Sequence, residues 1–109
     1  MNTLKNRVQL IGNLGTDPVV KEVSNGTSLA RFSLATNEEY MNPEGEKVNN
    51  TQWHNLVAWG NMARIVRQYL KKGNKVTIEG KLANRTYETQ TGIRRFITEV
   101  IVTGIVLAD

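Results

Sequence analysis

The sequence predicts an all-β fold: a five-stranded Greek-key barrel with one helix between its third and fourth strands. Three observations carry that expectation. Most apolar residues recur with a period near two, the alternation of a half-buried strand. A single segment has the 3, 4, 7, 8 apolar spacing of an amphipathic helix. Glycines stand inside the strand-like runs, where a small barrel bends or brings backbones close. The 109 residues suit one domain, spanning residues 1–109, and are too few for two.

Arg7 to Leu14 (RVQLIGNL) sets Val8 and Leu10 against Arg7 and Gln9, and Gly12 and Gly15 allow a bend or bulge. VVKEVSNGTSLARFSLAT reads as two short strands around a Ser-Asn-Gly turn, because Asn25 and Gly26 both tolerate positive φ. In the second of these strands Ala30, Phe32 and Leu34 share one face. NEEYMNPEGEKVNNTQ is polar and broken by Pro43-Glu44-Gly45, as in a long exposed connection or the tip of a long hairpin. Four of the ten acidic residues sit there (Glu38, Glu39, Glu44, Glu46), so the remainder of the chain is more basic than the net +4 suggests.

QWHNLVAWG, from Gln52 to Gly60, is the next strand. Strand parity places Trp53, Asn55, Val57 and Trp59 on one face and His54, Leu56, Ala58 and Gly60 on the other. NMARIVRQYLKKG is the helix, with Met62, Ile65, Val66, Tyr69 and Leu70 on its apolar face. Asn61 suits its N-cap, Lys71 and Lys72 the negative end of its dipole, and Gly73 its C′ position. Beyond it, Val76, Ile78, Gly80 and Leu82 alternate with Lys75, Thr77, Glu79 and Lys81. Gln90-Thr91-Gly92 supplies a turn, and Phe96 to Leu107 forms the last strand, with a bend at Gly104. This is the element list of an OB-fold, a barrel that binds oligonucleotides or oligosaccharides across one face. Pattern alone leaves other small β-barrels open.

Composition narrows the chemistry. There are no cysteines, which excludes disulfides, thiol catalysis and thiolate metal sites. The single histidine, His54, excludes a multi-histidine metal centre within one chain. No metal and no cofactor is therefore expected. The glycines fit neither a phosphate-binding nor a dinucleotide-binding loop, and no nucleophile elbow is present. The clustered acids read as a solvated loop rather than an acid/base pair, so the chain is not expected to be an enzyme. Its start is too polar for a signal peptide and no run approaches 18 apolar residues. A cytoplasmic protein with no membrane partner is expected.

Only seven residues are aromatic, and both tryptophans lie in QWHNLVAWG. A barrel this small does not easily hold two indoles from one strand as well as Phe32 and Phe96. Asn55 between the indoles also argues against a dry core. The outer face is favoured, with one tryptophan in the core as the alternative. Tyr40 and Tyr87 sit beside the connections that reach over the binding face of an OB-fold. Arg85 lies two before Tyr87, and Arg94-Arg95 lie across the turn. Stacking contributes roughly 1–3 kcal/mol per base without reading sequence. Lys and Arg contacts to phosphate release counterions. Carbohydrate sites also use aromatic platforms, but 14 Lys and Arg against 10 Asp and Glu favour a polyanion.

NRVQLIGNLGTDPVVK, SLARFSLAT, TQWHNLVAWG, YLKKGNKVTIEGKL and ITEVIV, in that order, closely resemble the bacterial single-stranded DNA-binding proteins over nearly the whole chain. The resemblance implies an OB-fold, a homotetramer around the DNA, and binding of single-stranded DNA without strong sequence preference in replication, recombination and repair. By position, Trp53 matches a stacking Trp and Trp59 an aromatic site. Tyr40 and Tyr87 fall where many members stack a Trp, and His54 matches a histidine linked to subunit contacts. With Asn55, Lys71, Lys72, Arg85, Arg94 and Arg95, these aromatics make up the expected nucleic-acid site. Asn55, Asn61, Ala83 and Thr86 depart from the family by replacing Arg or Lys. Family members also continue into a flexible tail whose acidic tip recruits replication and repair proteins. This chain stops at Asp109, right after its last strand, either as a truncated piece or as a naturally short member, and in either case recruitment of replication and repair proteins through such a tail is not asserted for it. Two rivals remain: a dimeric primosome-type OB module that docks partners, and a small nuclease.

Overall fold

The computed structural model describes residues 5–24 and 26–107. In chain order its elements are β1 (Val8–Leu14), β2 (Val19–Ser24), β3 (Thr27–Met41), β4 (Lys47–Trp59), α1 (Asn61–Tyr69), β5 (Lys75–Glu88) and β6 (Arg94–Leu107). The sheet order is β1-β5-β6-β4-β3-β2, and an additional β1–β3 pairing joins the ends. Strands β1, β3, β4, β5 and β6 thus close a five-stranded barrel, the expected OB architecture. The sixth strand, β2, lies outside the closed ring and pairs with β3. Asn25, one half of the expected turn between β2 and β3, lies outside the described residues, as does Asp109. Gly26 has the positive φ, 77°, that the turn requires.

Closure is local. Only Asn13↔Ala35 and Leu14↔Leu34 pair β1 with β3. The expected bend at Gly12 is instead a close approach: a Cβ there would strike the carbonyl oxygen of Ala35. Leu34, Leu56, Ile78, Val66 and Val76 are fully buried, and Phe32, Val100 and Val102 complete the core around them. Removing this apolar surface from water is the main favourable term in the fold. The expected inner faces hold for Ala30, Phe32 and Leu34, for Leu56 and Ala58, and for Val76 and Ile78. Helix α1 packs on β3, β4 and β6 and buries Ala63 and Val66.

Three local expectations are corrected. The N-cap is Gly60, not Asn61, and no side chain caps the helix. The helix stops at Tyr69, so Lys71, Lys72 and Gly73 lie in the loop beyond it, and Arg67 is the cation of its last turn. Tyr69 is exposed, leaving the apolar stripe narrower than its spacing implied.

Two long hairpins run out of the barrel. β3 and β4 pair continuously as far as Met41↔Lys47, so the polar acidic segment is a hairpin tip rather than a connection. The Asn42 side chain holds that tip by accepting the Glu44 and Glu46 amides at 3.1 and 2.8 Å. β5 and β6 pair as far as Glu88↔Arg94, and the turn beyond contains Gly92 with φ of 84°. The radius of gyration is 16.1 Å, against about 13 Å for a compact chain of this length. Two placements are overturned. Phe96, expected in the barrel, is 81% exposed, and Leu82 is exposed as well. Each has the parity of the inner face; Phe96 lies out on the β5–β6 arm, whereas Leu82 pairs with the core residue Val100 but lies just past the last β1–β5 pair, Val8↔Gly80.

Candidate nucleic-acid interface

Side chains paired across adjacent strands share a face. On the outside of the barrel Trp53 lies beside Ala35, Asn55 beside Ser33, Val57 beside Arg31 and Trp59 beside Leu29. β2 lengthens the last two rows with Val19 beside Arg31 and Lys21 beside Leu29. In the other direction Val57 pairs with Ile101 of the parallel strand β6. The same face of β6 and β5 continues through Glu99 with Ala83, Ile97 with Arg85, and Arg95 with Tyr87. One continuous outer face therefore carries Trp53, Trp59 and Tyr87 interleaved with Lys21, Arg31, Arg85 and Arg95.

Both indoles stand open: Trp53 is 63% exposed and Trp59 45%. The alternative of one tryptophan in the core fails. Six residues along one strand separate them by roughly 20 Å. Val57 shares their face yet is only 2% exposed, so this row is not uniformly open. The Trp53 ring lies against the backbone at Gly15, where a Cβ would collide with it and come within 2.9 Å of Ser33 Oγ. Glycine is thus required for that ring position. Arg85 stacks its guanidinium 5.7 Å from the centre of the Tyr87 ring.

Other expected site residues lie elsewhere. Tyr40 is exposed on the β3 arm, and its register with Val48 puts it on the opposite side of the ribbon from Trp53 and Ala35. Arg94 lies beside Glu88, on the side away from Tyr87 and Arg95. Lys71 and Lys72 occupy the loop after α1. That loop is tied to the end of β1 by Gly73 N–H donating to the Leu14 carbonyl at 2.8 Å and Leu14 N–H to the Asn74 carbonyl at 2.9 Å. The Lys72 amide also donates to Asp17 at 2.8 Å. The loop therefore approaches the strand end that carries Gly15, beneath Trp53. His54 points inward, half-buried, with Nε2 2.9 Å from Thr36 Oγ1.

Sequence reasoning passed over Lys21, Arg31 and Glu99. Glu99 is the only buried charged residue among the described residues. Its one signal in the sequence is a carboxylate inside the apolar run ITEVIV. Its partners are far away in the chain: Arg31 on β3, 68 positions distant, and Arg85 on β5, 14 distant.

The single-strand binding protein family matches residues 5–107. Single-stranded DNA-binding protein 1 of Chlorobaculum tepidum is 44% identical over 101 residues, covering 92% of this chain and 62% of that protein. The single-stranded DNA-binding protein of Neisseria meningitidis serogroup A is 41% identical over 96 residues, covering 88% and 55%. The chain thus spans little more than half the length of these relatives. A solved structure described as the Plasmodium falciparum SSB complex with ssDNA superposes over 100% of both chains, with a TM-score of 0.89 and 33% identity.

Proposed function

This chain belongs to the single-strand binding protein family, and from that premise we propose that it binds single-stranded DNA without strong sequence preference. The observation that carries the proposal is the outer face on which Trp53, Trp59 and Tyr87 alternate with Arg31, Arg85 and Arg95. Rings stack on bases, guanidinium and ammonium groups neutralise phosphates, and neither demands a base identity. Asn55 belongs to this face and Lys71 and Lys72 lie in the loop at its edge, whereas Tyr40 and Arg94 lie on the reverse of the two arms, where a strand that wraps past the arms would meet them. A strand so covered stays unpaired, which is the service required during replication, recombination and repair. The function is non-catalytic, carried out in the cytoplasm by four copies of the chain, with His54 helping to pack the subunits.

The test is fluorescence anisotropy of labelled oligo-dT over a KCl series. The binding constant is expected to fall linearly on a log–log plot, with a slope of about −0.7 per phosphate contacted. Absence of binding contradicts the proposal, and binding with a flat response would place the basic residues outside the site. Light scattering on the same samples is expected to give four copies; two copies would favour the partner-docking module instead.

A further inference from the structure

We propose that Arg31 and Arg85, held by Glu99, form a seat for one backbone phosphate of the bound single strand. The seat rests on the single-strand-binding reading above and adds residues and a stoichiometry to it. Glu99 Oε2 accepts from Arg31 Nη1 at 3.2 Å and Glu99 Oε1 from Arg85 Nε at 3.1 Å. The carboxylate is 7% exposed. A carboxylate at that depth is costly unless paired, so the two guanidinium groups are held to it. Each arginine commits one N–H to Glu99 and has others left to offer. Their side chains are 42% and 40% exposed, so those donors reach solvent.

The three charged groups line a cleft of about 410 Å³ with Ser33, Asn55 and Ile97. The serine hydroxyl and the asparagine amide add neutral donors. Two guanidinium groups and one carboxylate leave a net charge of +1, which one phosphodiester balances. Guanidinium forks suit phosphate oxygens in particular. A second, smaller cleft joins Trp53 to Asn55 and Glu99, and Arg85 stacks on Tyr87. The seat therefore lies between two stacking surfaces, where the backbone of a strand with bases on both must pass. It also places a cation beside Asn55, on the neighbouring strand rather than at position 55 itself.

The test compares the salt dependence of oligo-dT binding for the unmodified protein, Arg31→Ala, Glu99→Gln and the double variant, with circular dichroism melts to establish folding. The slope is expected to follow the charge of the cluster. Arg31→Ala flattens it by about 0.7, Glu99→Gln steepens it by a similar amount, and the double variant returns to the starting value. At a fixed salt concentration Arg31→Ala weakens binding severalfold. Slopes that do not differ make the cluster a structural ion triad and overturn the seat. A Glu99→Gln slope equal to or shallower than that of the unmodified protein overturns the charge balance. If Glu99→Gln does not fold, folded Arg31→Ala decides alone, and an unchanged slope sinks the proposal. Absence of oligo-dT binding by the unmodified protein would instead remove the single-strand-binding reading itself.

Discussion

Trp53→Ala is expected to weaken oligo-dT binding by about 1–3 kcal/mol, roughly 5- to 150-fold in affinity. The ring is 63% exposed on the outer face, resting on Gly15 and bordering the cleft shared with Asn55 and Glu99. Because so much of it faces water, its removal leaves the barrel core untouched. The melting temperature should stay close to that of the unmodified protein, as for most surface substitutions. Anisotropy at one fixed salt concentration measures the first effect and a thermal melt the second. A variant that melts early but binds normally when folded would place the ring in the fold rather than in the site.

Leu34→Ala is the opposite case. Leu34 is fully buried and sits where β3 meets both neighbours, paired with Leu14 of β1 and with His54 of β4. Only two residue pairs join β1 to β3. A cavity here forms beside one of the two narrow seams of the barrel, the other being β4–β6, and the backbone contact at Gly12 limits how far the strands can collapse into it. The expected cost is about 2–5 kcal/mol. At roughly 4–8 °C per kcal/mol for a domain near this size, the melting temperature should fall by at least about 8 °C. Urea denaturation with an unchanged m-value would assign the loss to stability alone. A fall of only a degree or two would mean that closure does not depend on this side chain. Taken together, the two variants separate the face that binds from the face that folds.

Much of this architecture was legible because a strand has only two faces. Parity alone set Trp53, Asn55 and Trp59 against Leu56 and Ala58, and the structure keeps that division. Helix position and strand order followed from periodicity in the same way. Parity does not say where a barrel ends. Phe96 and Leu82 have inward parity, yet Phe96 lies on the arm beyond the core and Leu82 lies past the last residue that pairs β5 with β1. The same limit affected Tyr40: its parity opposes that of Trp53, and proximity to a connection said nothing of which side it faces. Charge carried less still. Arg85 was visible beside Tyr87, but its pairing with Glu99 and Arg31 needs three strands brought together, and no local spacing encodes that. Lys71 and Lys72 illustrate a smaller error of the same kind. The helix ends at Tyr69, and its loop is held by backbone bonds to β1 rather than by the helix dipole.

Intrinsic tryptophan emission, followed as oligo-dT is added, reports on both indoles of the chain at once. With Trp53 and Trp59 on the outer face and available to bases, a large, saturable quench is expected, reversed by added salt as the strand dissociates. Emission that stays constant while anisotropy shows the oligonucleotide bound would mean that the strand lies elsewhere, and would contradict stacking on this face.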